Sequence, residues 1–267
     1  MKNSERPIGF FDSGIGGLTV LKEATKLLPN EDFVYFCDQA NIPYGSKDPE
    51  ELKIYINDAI LFLVHKNVKA IVLACNTATS LFIESLRAKH PIPFIGMEPA
   101  LKPAFESKGN GDILVLATPV TLQQEKFWNL KERVDEYNDE NLIVFPAAKL
   151  ASMIEKKVIE SRGKERGFLD IKEYLESSLK KINLSNISVV VLGCTHYIFI
   201  KNILRGIFQK KTKIVDGNYG TVKHLKHILD KKGILNNKKE MGTVEFYSSD
   251  KKFEDIDKVF KEILNNI

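Results

Sequence analysis

Cys75 and Cys194 are the residues of this chain whose type and setting could do chemistry together. Each closes an apolar run: Ala70-Ile71-Val72-Leu73-Ala74 leads to Cys75, and Val189-Val190-Val191-Leu192-Gly193 leads to Cys194. Small or hydroxyl residues follow in both cases, Asn76-Thr77-Ala78-Thr79 and Thr195-His196-Tyr197. Such a run reads as a buried strand, and the apolar spacing from Leu81 to Leu86 reads as the helix it feeds. A thiol at a strand's carboxyl end, facing the free N–H groups of a helix start, sits in an electropositive setting. The expectation is therefore a pKa below the free value of about 8.5 and accessible thiolate. The same N–H groups suit a carboxylate. With Ser13, Asn76, Thr77 and Thr195 supplying short polar side chains, a small dicarboxylate or amino acid fits better than a bulky apolar ligand.

Two opposed thiols suit one reaction well. Inverting a carbon that bears a hydrogen needs a base on one face and an acid on the other. One cysteine starts as thiolate and the other as thiol, and the roles exchange in the reverse direction. Asp12 reads either as a turn or cap carboxylate or as a group polarising the nearby cysteine. His196 reads either as a surface or cap residue or as the partner of Cys194. The third cysteine, Cys37, ends an apolar run without a helix-start signature and reads as a buried structural residue.

Other chemistries fit less well. Cys194 and His196 are too close together for finger spacing and no C-x-x-C is present, so a metal site is not expected. A cysteine hydrolase needs a nucleophile, a histidine base and an orienter, and His196 two places after Cys194 matches no local signature of that kind. Gly14-Ile15-Gly16-Gly17 has Thr19 where a dinucleotide loop carries its third glycine, and no P-loop lysine follows. It reads as a tight turn that lets the backbone approach a small anion.

The elements that must position these residues alternate. Strands are expected at Pro7 to Phe11, Phe33 to Cys37, the first cysteine run, Pro93 to Met97, Asp112 to Ala117, Leu142 to Phe145, the second cysteine run, and near Thr243 to Tyr247. Between them the apolar spacing predicts helices from Leu18 to Leu27, from Pro49 to about Lys66, from about Thr121 to Glu132, from Pro146 through Glu155, from Ile171 to Ile182, after Tyr197, and from Phe253 to the end. This is an α/β pattern with mostly parallel sheets. A weak internal duplication pairs the strand before Asp12-Ser13 and the Cys75 strand with the strand before Thr118 and the Cys194 strand. It predicts two similar α/β domains, 1–97 plus 215–267 and 98–214, with the site between them at the strands' carboxyl ends. The prolines at 91, 93, 99 and 103 mark the crossing out, and Lys213 to Val215 with Asp216-Gly217-Asn218 the crossing back.

Composition bounds the rest. At 267 residues and 43% hydrophobic, the chain can bury a sizeable core. Its 39 basic and 35 acidic residues leave a net charge of +4, mixed along the chain and without a basic aromatic-rich motif, so no nucleic-acid partner is expected. Three cysteines make no disulfide framework, which suggests a reducing, cytoplasmic setting. No signal peptide and no membrane-length apolar run is read.

Four motifs, in this order, carry a family resemblance: Phe11-Asp12-Ser13-Gly14-Ile15-Gly16-Gly17-Leu18-Thr19, Ile42-Pro43-Tyr44-Gly45, Ala74-Cys75-Asn76-Thr77-Ala78, and Leu192-Gly193-Cys194-Thr195-His196-Tyr197. The chain resembles the glutamate racemases, within the cofactor-independent aspartate/glutamate racemase superfamily. The resemblance implies two duplicated α/β domains with the active site between them, and Cys75 and Cys194 as the acid/base pair. It implies that Asp12 and His196 assist them, and that Glu155 corresponds to a family carboxylate. Substrate contacts would come from Asp12, Ser13, Tyr44, Gly45, Asn76, Thr77, Thr195 and His196. It further implies glutamate as substrate, no pyridoxal phosphate or metal, supply of D-glutamate for peptidoglycan, and an enzyme often found as a homodimer. Ile198 stands where the family usually has proline, Asn41 where it has arginine, Cys37 where it has glycine, and Ala147-Ala148 where it often has Cys-Pro. Aspartate or another small amino acid is the alternative substrate, and a non-catalytic amino-acid-binding relative the alternative role.

Overall fold

The apolar runs form two parallel sheets in the computed structural model, which describes residues 2–134, 141–164, 167–250 and 255–267. The first sheet contains β1 (Ile8–Asp12), β2 (Phe33–Cys37), β3 (Ala70–Leu73), β4 (Phe94–Gly96) and β9 (Val244–Ser248), in the order β4-β3-β1-β2-β9. The second contains β5 (Asp112–Ala117), β6 (Leu142–Pro146), β7 (Ile187–Gly193) and β8 (Lys213–Asp216), in the order β6-β5-β7-β8. Every pairing is parallel. The α/β class expected from the alternation is what the chain adopts.

Both sheets are doubly wound, and each has one place where the winding reverses. In the first sheet β1 and β3 are neighbours, with β2 on the far side of β1 and β4 on the far side of β3. In the second, β5 and β7 stand in the same relation. A crevice opens beyond the strand ends at such a reversal. Asp12 at the end of β1 and Cys75 after β3 stand at one crevice, Thr118 after β5 and Cys194 after β7 at the other, so the duplication read from the strand order corresponds to two equivalent crevices.

Side-chain alternation distributes the strands over three cores. Ile8, Phe10, Phe33 and Tyr35 from the first sheet share one buried cluster with Leu114, Leu116, Val190 and Leu192 from the second. Phe11, Val34, Ile71 and Leu73 face the other way, onto α2 (Pro49–His65) and α3 (Asn76–Lys89). Ile113, Val115, Val189 and Val191 face α4 (Leu101–Ser107) and α6 (Glu125–Val134). α2 shows how local sequence sets an element. Asp48 accepts the Glu50 N–H at 2.8 Å, Pro49 occupies the first turn, and Leu52, Ile56, Ala59, Ile60 and Leu63 make its buried stripe.

Four helices differ from expectation. The helix expected from Thr121 to Glu132 is two, α5 (Pro119–Gln123) and α6, because Gln124 between them is extended. Thr118 caps α5 by accepting the Thr121 N–H at 3.3 Å. The helix expected after Pro146 is α7 (Leu150–Ser161), which begins later and runs past Glu155 to left-handed Arg162 and Gly163. After β7 the chain makes a tight 3-10 segment, Thr195–Ile200, before α9 (Lys201–Ile207). The helix expected from Ile171 to Ile182 is α8 (Leu169–Ser178), which starts two residues earlier and stops four residues sooner. α10 (Asn218–Lys231) packs on α1 (Leu18–Leu27), and α11 (Ile256–Asn266) ends the chain. The start expected for that last helix, Phe253, lies outside the described residues. No helix among the described residues is long and apolar enough to cross a membrane.

Candidate active site

β3 delivers Cys75 to the N-terminus of α3, and β7 delivers Cys194 to the 3-10 segment. Both thiols line one cleft between the two sheets, with a volume of about 510 Å³ including its open mouth. Ser13, Tyr44, Gly45, Asn76, Thr77, Glu155, Thr195 and His196 line the same cleft. Asp12 does not: it is fully buried one layer behind the wall, where it accepts the Gly14 N–H at 3.2 Å and the Thr195 hydroxyl at 3.4 Å. His196 is buried rather than a surface or cap residue.

The loop after β1 approaches an anion, as its glycines suggest, but that anion belongs to the chain itself. The Ile15 N–H donates to both oxygens of the Glu155 carboxylate, at 3.3 and 3.1 Å, from 140 residues away. A Cβ on Gly14 would stand 2.7 Å from Glu155 Oε2, and one on Gly16 would stand 2.2 Å from Thr195 Oγ1. Those two glycines are therefore the condition for close approach of the two halves. Glu155 in turn meets His196 Nε2 at 2.5 Å, and His196 Nδ1 lies 3.6 Å from Cys194 Sγ. The result is a line of groups running from the Ile15 N–H through Glu155 and His196 to Cys194.

Across the cleft the surroundings of Cys75 are different. Its thiol donates to Ser13 Oγ at 3.7 Å. The expectation of a lowered pKa for this thiol is overturned. Burial, reinforced by the Asp12 carboxylate, pushes it up to about 12, against the Ala78 N–H and the Ser13 hydroxyl. The helix N-terminus is present, but the loss of water costs the thiolate more than a few aligned dipoles return. The near-identical settings read for the two cysteines also separate here, since no α-helix starts behind Cys194.

Burial raises the Asp12 pKa to about 6, opposed by His196 and by the N–H groups of Gly14 and Gly17. For His196, burial pulls the pKa down, but Cys194 and Glu155 outweigh it and hold the imidazole well above its ordinary value. Both neighbours therefore favour the protonated form of the imidazole. Tyr44 lines the cleft with its hydroxyl committed to Asp38, donating to Oδ2 at 2.5 Å.

Two further features speak to a ligand. The Asn76 side chain is buried, lines the cleft, and has neither its oxygen nor its nitrogen paired among the described residues. Buried amides are ordinarily satisfied, so both atoms are available to a polar guest. Beside the cleft, Thr77, Thr118 and Thr121 form a hydroxyl cluster, with Thr77 Oγ1 3.0 Å from Thr118 Oγ1. Thr118 was not read as a site residue, although its place at the end of β5 mirrors Asp12 at the end of β1. Ile42, Pro43, Ala148, Ala151, Ser152 and Gly193 also line the cleft. Ser152 sits one helical turn before Glu155 and carries no sequence signal. Among the described residues no group of three His, Cys, Asp or Glu side chains is arranged to hold a metal ion.

Comparison with known proteins places this architecture. A model of the family described as Asp/Glu/Hydantoin racemase matches residues 18–225. A glutamate racemase of Halothermothrix orenii is 44% identical over 97% of this chain and 99% of its own length. One of Clostridium kluyveri is 45% identical over 93% of this chain and 94% of its own. Among solved structures, a glutamate racemase isoform from Bacillus anthracis superposes with a TM-score of 0.82 at 26% identity, covering 97% of this chain and 92% of that one. The Francisella tularensis glutamate racemase in complex with D-glutamate superposes with a TM-score of 0.81 at 29% identity, covering 98% and 94%. With both thiols on one cleft between two parallel sheets, and a family match over most of its length, the chain belongs to the Asp/Glu/hydantoin racemases.

Proposed function

We propose that the protein is an isomerase interconverting L- and D-glutamate, with Cys75 and Cys194 exchanging a proton at the α-carbon from opposite faces. The observation that carries this is the opening of both thiols onto one cleft. The Thr77, Thr118 and Thr121 hydroxyls and the unpaired Asn76 amide suit the polar ends of a small amino acid. Ser13, Tyr44, Gly45, Thr195 and His196 complete the substrate contacts, and Asp12 acts from behind them.

The chemistry divides unequally. With its pKa at about 12, forming the Cys75 thiolate in the free cleft at pH 8 costs about 5 kcal/mol. An α-ammonium group brought against it offsets that cost by direct charge attraction. Cys75 is thus a thiol until a cationic substrate arrives. Cys194 has its own charge partner in the His196 imidazolium, itself balanced by Glu155. The scheme asks for no cofactor, because each thiol serves as base in one direction and acid in the other.

The same reading implies a cytoplasmic enzyme that supplies D-glutamate for peptidoglycan, with a homodimer as the family's common assembly. It divides the chain into 1–97 plus 215–267 and 98–214; the two sheets follow that division except at its second boundary, which falls inside β8 of the second sheet. A circular-dichroism assay with L-glutamate, D-glutamate and L-aspartate in deuterated water tests the activity and separates the alternatives. Racemisation of glutamate with deuterium entering the α-carbon is expected. Turnover without exchange, or a Cys194→Ala or Cys75→Ala variant that racemises at the normal rate, would reject the two-base scheme. Faster turnover of aspartate would reject glutamate as the substrate.

A further inference from the structure

The Gly14–Ile15 peptide is held from both sides. Tyr35 donates its hydroxyl to the Gly14 carbonyl at 2.6 Å, while the Ile15 N–H donates to Glu155. In a planar trans peptide the C=O and the next N–H point in opposite directions, so fixing one fixes the other. Tyr35 itself is fully buried, with its ring edge-on to Phe246 and Phe260 at centroid distances of 6.3 and 5.8 Å. The packing of that ring asks for phenylalanine. The hydroxyl is a polar atom carried into the core, and the Gly14 carbonyl is the partner it meets there.

We propose that Tyr35 is a positioning residue for Cys194: through the Gly14–Ile15 peptide it holds the Glu155 carboxylate against His196, and so holds the imidazole against the thiol. The proposal rests on the racemase reading above. Its logic is geometric. Glu155 reaches the cleft from α7, and among the described residues only the Ile15 N–H makes a polar contact to it from the first sheet's side. Without a fixed peptide plane, that N–H can swing and the carboxylate loses one of its two anchors. The titratable groups that act on the Glu155–His196 pair are Asp12 from β1, Tyr35 and Cys37 from β2, and Cys194 from the turn that carries His196.

Tyr35→Phe removes the hydroxyl and keeps the ring. The expected result is a fall in kcat of about tenfold with KM changed by less than about twofold, the signature of a lost reaction-step interaction. The alkaline limb of the kcat/KM profile should move to lower pH by about one unit, because an imidazolium whose carboxylate partner turns away gives up its proton more readily. Gly14→Ala displaces the carboxylate directly, its Cβ standing 2.7 to 2.9 Å from the Glu155 carboxyl atoms, and should move the limb the same way and further. A Tyr35→Phe enzyme with a lower Tm but the parent's kcat and pH profile would show a purely structural hydroxyl and overturn the proposal. So would a limb that stays in place or moves upward in either variant. A parent enzyme without racemase activity sinks the functional reading and this inference with it. An active parent with unaltered variants sinks this inference alone.

Discussion

Asp12→Asn should make the protein more stable and less active. The carboxylate is fully buried, and its pKa rises from 3.8 to about 6 because burial outweighs His196 and the surrounding N–H donors. A carboxylate whose folded-state pKa lies above its unfolded value binds more protons folded than unfolded between the two. Stability therefore falls as pH rises through that window. The difference of about 2.2 pH units corresponds to about 3 kcal/mol of destabilisation, fully present above pH 6 and absent below about pH 3.8. Asparagine is nearly isosteric. Its oxygen can accept from Gly14 N–H as the carboxylate does, and its amide can donate to Thr195 Oγ1, which the carboxylate now accepts from. Urea unfolding at pH 4, 5.5, 7 and 8 reads the difference directly. The variant should match the parent at pH 4 and gain about 1 to 3 kcal/mol by pH 8, while kcat falls. A stability difference that does not vary with pH, or a variant less stable than the parent at pH 8, would refute the reasoning. The confirming outcome would mean that the site keeps a charge where folding would prefer none, a stability cost retained for function.

Three other perturbations test separate parts of the structure. In the free enzyme, alkylation of Cys75 by a small haloacetamide should speed up about tenfold per pH unit from pH 7 to beyond pH 9.5, since its thiol stands near 12; a plateau around pH 8.5 would contradict that burial effect. Lys69 is wholly buried against Glu31, with the Ser4 and Ile234 carbonyls at 2.7 and 2.9 Å, so Lys69→Ala should cost about 3 to 5 kcal/mol by leaving a buried carboxylate unpaired. A Lys69→Met, Glu31→Leu double variant should recover most of that loss in denaturant titration, and equal instability of the two would argue against the charge as cause. Gly16→Ala drives a methyl group to within 2.2 Å of Thr195 Oγ1 and 2.8 Å of His196 Nδ1 and should lower kcat about 100-fold. Gly206→Ala, on open space in α9, should instead leave kcat alone and add about 0.5 to 1 kcal/mol, and similar kinetics for the two would show that close approach at Gly16 is not limiting.

The cleft also explains why its parts come from such distant stretches of chain. Thr195 donates to Asp12 across 183 residues, Ile15 reaches Glu155 across 140, and Thr77 meets Thr118 across 41. Each contact joins an element of the first sheet to one of the second. The cleft walls are thus tied at several points by polar contacts. A stable binding surface requires both halves, and neither crevice alone presents two thiols.

The sequence by itself determined every described strand but β8, which reads along the chain as a crossing and is a strand because it pairs with β7, as well as most of the helices and the fact that two thiols end two of those strands. Those are local properties. An apolar run of Val and Ile bounded by small polar residues has the same meaning wherever the chain later carries it. Cys75, Cys194 and the threonines beside them were legible for that reason. What only the tertiary structure decided depends on distances between residues far apart in the chain. Asp12 recedes behind the wall because Gly14, Gly17 and Thr195 close over it. The glycine loop spends its N–H on Glu155, and Tyr35 reads as a core aromatic until its hydroxyl is seen on the Gly14 carbonyl. Cys75 reverses its expected pKa because a helix N-terminus can be read along the chain, whereas desolvation is set by everything that packs around it.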